Sequence, residues 1–128
     1  MTAQTTLTGL RVLVVEDDAL IGMLMEDSLD DLGCAIVGPT ATVAEATNLV
    51  ESSSVDAVLL DLNLGQGQNA YAFADSLLAR GIPFAFVTGQ DTSALRSGYQ
   101  GCATLQKPFR ADTLEQLLHR LAAERRQG

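Results

Sequence analysis

Ala57-Val58-Leu59-Leu60-Asp61 is a run of apolar residues closed by a carboxylate. An unbroken apolar run this short reads as a strand covered on both faces, the pattern of parallel sheets. The form recurs along the chain. Val12-Leu13-Val14-Val15 runs into Glu16-Asp17-Asp18, Phe84-Ala85-Phe86-Val87 ends on Thr88, and Ala103-Thr104-Leu105-Gln106 ends on Lys107-Pro108. In an open parallel sheet, ligands bind outside the carboxyl ends of the strands. The carboxylates, the hydroxyl and the ammonium are therefore expected to meet at one edge of one sheet. That set suits a divalent cation and a phosphoryl group.

Between the runs the apolar period changes to that of helices. Ile21, Leu24, Met25, Leu29 and Leu32 recur at helical spacing, and Gly33 follows as a terminator. A second strand is expected from Cys34 to Val37, closed by Gly38-Pro39. Thr42 with Glu45 makes a capping box for a helix burying Val43, Ala46, Leu49 and Val50. After Asp61 comes Leu62-Asn63-Leu64-Gly65-Gln66-Gly67-Gln68, whose glycines permit tight backbone angles. The next helix should turn Phe73, Ala74, Leu77 and Leu78 inward and stop at Gly81. Residues 89–101 are weakly patterned, with Leu95 the one strong aliphatic and Gly98 an interruption, and a short, loosely held fourth helix is expected there. The last helix, about 112–124, carries Leu114, Leu117, Leu118 and Leu121. The alternation gives an α/β fold, doubly wound, with five parallel strands and five helices.

At 128 residues and 47% hydrophobic, the chain fits one domain with a proper core. Residues 1–8 are expected to be a flexible tail and 9–126 the folded domain, with no output domain. Glu124-Arg125-Arg126-Gln127-Gly128 reads as a natural stop. The net charge of -8 argues against direct binding to nucleic acid or to an anionic membrane. The start of the chain has neither a basic nor an apolar signal region, and no apolar stretch approaches a bilayer span. A cytoplasmic location follows as the expectation. Cys34 and Cys102 sit far apart in apolar contexts and read as small, reduced core residues. His119, the single histidine, reads as a solvated helix position.

Mg²⁺ takes hard oxygen ligands and usually combines one or two carboxylates with phosphate oxygens. Asp17 and Asp61, with Glu16 close behind, meet that demand if their strands are neighbours. Asp61 interrupts an apolar context where a bare carboxylate is costly unless paired or liganded. Such a carboxylate can act as a nucleophile and carry an aspartyl phosphate. Lys107 offers a compact cation for phosphoryl oxygens and Thr88 a hydroxyl that can donate to one of them. Each residue alone also has an ordinary reading: an acidic rim, a turn hydroxyl, a solvated lysine. Their joint occurrence, each at a strand end, is what argues for a site.

With these residues in place, the sequence from 10 to 125 resembles the receiver domain of two-component response regulators. The family's acidic pair looks like Glu16-Asp17, its phosphoacceptor like Asp61, its hydroxyl like Thr88 and its lysine-proline like Lys107-Pro108. The resemblance implies a flavodoxin-like strand order 2-1-3-4-5. It also implies a Mg²⁺ site, with Mn²⁺ as the alternative ion, ligated by Asp17, Asp61 and the backbone carbonyl of Asn63, with Glu16 acting through water. Pro83-Phe84-Ala85-Phe86-Val87-Thr88-Gly89, with Leu64-Gly65 after the acceptor, is similar to a narrower group of single-domain receivers carrying a Pro-Phe-x-Phe-Ala-Thr-Gly motif, associated with alphaproteobacterial kinases. Where that motif continues with an apolar residue and a tyrosine, this chain has Gln90-Asp91.

Two further departures bear on signalling. The aromatic switch residue common in receivers falls here on Thr104, and the residue after the hydroxyl is Gly89 instead of alanine. Activation is therefore expected to reorder residues 89–101 instead of flipping a ring. The function expected is that of a phosphoacceptor, not a classical enzyme, which takes a phosphoryl group from a sensor histidine kinase or histidine phosphotransfer protein and signals to a downstream protein. A pseudo-receiver that binds its partner without phosphorylation is the alternative. An aspartate-nucleophile phosphatase would need a second acid where Asn63 stands, and neither nucleotide-binding glycine motif follows the first strand.

Overall fold

The computed structural model describes residues 7–65, 67–89, 95–99 and 101–127. The strands are β1 (Arg11–Val15), β2 (Ala35–Thr40), β3 (Ala57–Asp61), β4 (Phe84–Thr88) and β5 (Ala103–Gln106). The helices among the described residues are α1 (Ala19–Asp31), α2 (Val43–Ser52), α3 (Ala70–Arg80) and α4 (Ala111–Gln127). All strand pairs are parallel and the order is β2-β1-β3-β4-β5, the doubly wound order expected.

Side chains alternate between two cores, as a period-two strand requires. Val12 and Val14 face a cluster built with Met25 and Leu29 of α1 and Leu114, Leu118 and Leu121 of α4. Leu13 and Val15 face the opposite cluster, with Ala46 and Val50 of α2 and Phe73 and Leu77 of α3. β3 is buried at every position, which is why it reads as an unbroken apolar run ending in one carboxylate. Truncating Leu59 or Leu60, each fully buried, to alanine would cost about 2–5 kcal/mol.

Several expectations are corrected. The described residues contain four helices, not five. Residues 90–94 and 100, within the segment where the fourth helix is expected, lie outside the described residues. Residues 95–99 form turns instead, with the N–H of Tyr99 donating to Arg96 and that of Cys102 donating to Tyr99. The second strand starts at Ala35 and continues through Gly38-Pro39 to Thr40. It survives the Gly-Pro pair because the register with β1 slips between Leu13 and Val15, and Gly38 takes a φ of +86° there. A side chain at Gly38 would also bring its Cβ to 2.9 Å from the Thr40 nitrogen. Leu78 is exposed instead of turned inward, because α3 buries Ala74 and Leu77, and Leu24, on the helical period of α1, is exposed where Gly22 and Met25 face inward. Of the segment assigned to the tail, residues 1–6 lie outside the described residues, whereas Leu7 is buried in the core.

Candidate functional site

Each chemically expressive side chain sits at or just beyond the carboxyl end of a strand. Glu16 and Asp17 follow β1, Asp61 closes β3, Thr88 closes β4 and Lys107 follows β5. The pairing order makes β3 the neighbour of both β1 and β4, so the topology draws residues 45 positions apart to one edge. Asp61 pairs with Val87, one residue before Thr88, and the N–H of Leu62 donates to Val87 at 2.9 Å. The N–H of Lys107 donates to the carbonyl of Thr88 at 2.8 Å.

Oxygen atoms of Glu16, Asp17 and Asp61 lie within 4.8 Å of one another. Glu16 and Asp61 are buried, whereas Asp17 is exposed. Lys107 Nζ is 3.1 Å from Glu16 Oε1 and 3.5 Å from Asp61 Oδ1. Glu16 Oε1 has this ion pair but no aligned hydrogen bond, while Oε2 accepts from the Asp18 N–H at 3.1 Å. Asp61 Oδ1 accepts from the Asn63 N–H at 2.9 Å, and Asp17 Oδ2 from the Gly65 N–H at 2.9 Å.

The electrostatics are those of carboxylates crowded beyond the reach of one lysine. Burial, and then the neighbouring Asp61 carboxylate, push Glu16 up to about 7, against the opposing pull of the Asp18 N–H and Lys107. For Lys107, burial alone would lower the pKa, but the Glu16 hydrogen bond and the Asp61 and Glu16 charges outweigh it and leave the ammonium above its ordinary value. One ammonium thus pairs with two buried carboxylates, and a third, exposed one lies alongside them. Such an arrangement fits a divalent ion: hard oxygens from separate elements converge, and the net negative charge is the charge a cation would offset.

The acidic triplet of β1 divides its work. Asp18 turns away from the cluster and caps α1, its Oδ1 accepting from the N–H groups of Leu20 at 2.9 Å and Ile21 at 3.2 Å. The capping box of α2 is half formed. Thr42 Oγ1 accepts from Glu45 N–H at 3.1 Å, but the Glu45 carboxylate is taken by the Thr40 hydroxyl. His119 is partly exposed beside Glu115, and both cysteines are free, Cys34 buried and Cys102 half-buried. Gln68, which the sequence did not single out, lies beside the site and bonds to Val43 at the start of α2 and to Ala41 just before it; its amide has no signature readable from sequence.

The strand order and the acidic cluster define a doubly wound α/β domain with a strand-end site, and comparison with known proteins gives its family. The family model for the response regulator receiver domain matches residues 12–119. The chain belongs to that family, whose members are signalling modules of two-component systems. The solution structure of SdrG from Sphingomonas melonis Fr1 is 40% identical, with a TM-score of 0.78, and the match covers 91% of this chain and 98% of that one. The response regulator PhyR from Brucella abortus is 28% identical with a TM-score of 0.79, covering 91% of this chain and 49% of that one. The transcriptional regulatory protein PdtaR of Mycobacterium tuberculosis is 30% identical over 102 residues, 77% of this chain and 50% of PdtaR. The chain thus spans about half the length of the curated relatives it matches. Among the described residues, no helix is long and apolar enough to cross a membrane.

Proposed function

We propose that this receiver accepts a phosphoryl group on Asp61 from a phosphohistidine. The N–P bond of the donor breaks, an O–P bond to the Asp61 carboxylate forms, and the histidine leaves with the bonding electron pair. The observation that carries the reading is a buried carboxylate at a strand end with an ammonium 3.5 Å away and two further carboxylates alongside. Lys107 neutralises the charge that arrives with the phosphoryl oxygens, and the Thr88 hydroxyl donates to one of them. Asp17, Asp61 and the Asn63 carbonyl would hold Mg²⁺ or Mn²⁺, with Glu16 acting through water. The ion would supply positive charge to the phosphoryl oxygens. Water attack on the same phosphorus resets the site.

The donor is a sensor histidine kinase or a histidine phosphotransfer protein, acting in the cytoplasm. Leu20, Met23 and Leu24 are exposed on α1 at 66%, 60% and 51%. A groove of about 390 Å³ between α1 and Lys107, Pro108 and Phe109 adjoins them. An apolar face bordering the acceptor suits a protein donor. The likeness to SdrG, together with Pro83-Phe84-Ala85-Phe86-Val87-Thr88-Gly89, supports placing the chain in the narrower single-domain group. SdrG has also been solved in a BeF3-activated conformation, at 39% identity to this chain, which makes the same mimic the natural probe here. The output is a changed protein contact through residues 89–101.

Borohydride trapping tests the acceptor directly. After phosphorylation, reduction and digestion, homoserine at position 61 is expected; homoserine at position 17 or 56 would overturn the assignment.

A further inference from the structure

The loop that follows the acceptor contains Gly65 and Gly67, the latter with a φ of +72°, and glycine leaves backbone entropy to be lost whenever the loop is ordered. Yet this loop must present the Asn63 carbonyl and hold the Gly65 N–H against Asp17. Gln68 bonds it to its neighbours. Gln68 Oε1 accepts from the N–H of Val43, the first residue of α2, at 2.7 Å. Gln68 Nε2 donates to the carbonyls of Ala41 at 3.3 Å and Gly65 at 3.1 Å. These are the hydrogen bonds that join this loop to the β2–α2 junction among the described residues.

The bonds close a circuit through three strand-end loops. The Glu16 N–H donates to Thr40 at 2.9 Å, so the β2–α2 junction is tied to the acidic pair. Gln68 ties that junction to Gly65, and the Gly65 N–H returns to Asp17 Oδ2 at 2.9 Å. Glu16, Asp17, Thr40 and Ala41 all line one cleft of about 320 Å³. Each of Gln68's amide atoms is matched to a partner of the opposite kind, and one partner is an N–H that a helix start would otherwise leave unmet. An amide satisfied on both sides fixes a rotamer as well as a distance.

We propose that Gln68 is a positioning residue for the cation site: its amide holds the Gly65 N–H and the Asn63 backbone where Asp17 and Asp61 can share an ion. This rests on the acceptor-site reading above. Groups that orient metal ligands without touching the ion commonly alter affinity about 10- to 100-fold when removed. Gln68 does not touch the phosphoryl group, so its loss should weaken cation binding and leave the chemistry of the loaded site alone.

The test uses Gln68→Met, which keeps length and shape and removes both ends of the amide, with Ile82→Ala as a control. Ile82 is buried at the opposite end of the sheet, just before β4, so its truncation lowers stability without approaching the site. Calorimetric titration with MnCl₂ is expected to show about tenfold weaker binding in Gln68→Met and wild-type affinity in Ile82→Ala. The MgCl₂ concentration giving half-maximal adduct formation from phosphoramidate should rise by the same factor, with the rate at saturating MgCl₂ unchanged. A Gln68→Met isotherm superimposed on wild type would overturn the proposal, as would an equal loss in Ile82→Ala. Wild type that takes up no Mn²⁺ would overturn the acceptor-site reading itself, and this proposal with it.

Discussion

The main-chain N–H of Lys107 donates to the main-chain carbonyl of Thr88 at 2.8 Å, directly beyond the last β4–β5 pair, Thr88 with Gln106. The two residues are thus registered along their strands by backbone, independently of what their side chains touch. Either side chain can be changed with the ladder intact, so the chemical role of each is separable from the fold.

Lys107→Met isolates the ammonium. It leaves Glu16 and Asp61 buried without their cation, and removing one partner of a buried pair exposes the desolvation cost of the other. In EDTA at neutral pH, urea unfolding should show a loss of roughly 1–3 kcal/mol, tempered because Lys107 is 21% exposed. Mg²⁺ should partly restore stability and bind on the order of tenfold more tightly, since it no longer competes with a fixed charge. Equal Mg²⁺ affinity in variant and wild type would show that the lysine and the ion act at different places.

Glu16 makes the cation-free protein sensitive to pH. Burial first, then Asp61, raise its pKa from 4.5 to about 7, so between those values the folded chain binds a proton that the unfolded chain releases. The contribution to stability is complete below about 4.5 and is lost as pH rises through about 7. In EDTA, wild type minus Glu16→Gln should therefore become less stable with rising pH across that window, by on the order of 1–3 kcal/mol. Parallel pH profiles for the two proteins would refute the assignment. Mg²⁺ affinity should also fall below pH about 7, as protons compete for the same oxygens.

Tyr99 anchors the described part of the 89–101 segment. Its hydroxyl donates to Asp75 and, at 3.4 Å, to the Tyr71 carbonyl, and its ring packs on Tyr71 and Phe86 at 4.8 and 5.9 Å between centroids. Arg96 lies over the Tyr71 ring at 4.1 Å, and its N–H donates to the Tyr71 hydroxyl at 3.0 Å. Beryllofluoride with Mg²⁺ should change amide exchange at residues 95–99 in wild type. Tyr99→Ala should speed exchange there before activation and cost about 1–3 kcal/mol. Unchanged exchange on adding the mimic would remove this segment as the signalling element.

The legible parts of this chain were those with a local signature. β1, β3 and β4 are apolar runs closed by polar residues, and Leu114, Leu117, Leu118 and Leu121 mark the inner face of α4 at helical spacing. Their order in the sheet brings Asp61, Thr88 and Lys107 together once the strands are parallel. The less legible parts depend on partners distant in sequence. Gly38-Pro39 reads as a turn, yet a slipped register beside β1 keeps it in a strand. Leu78 fits the helical period, but Leu77 already fills the core under α3. Gln68 and Tyr99 acquire their roles only from Val43, Ala41 and Asp75, across 24 to 27 residues of chain.

The most direct test of the account is intact mass after incubation with phosphoramidate, with and without Mg²⁺, for wild type and Asp61→Asn. The account predicts a single phosphoryl adduct on wild type that requires Mg²⁺ and is absent from Asp61→Asn. An adduct that persists in Asp61→Asn, or a wild type that stays unmodified with phosphoramidate and with a phosphorylated histidine phosphotransfer protein alike, would contradict it and leave a receiver that works without phosphorylation.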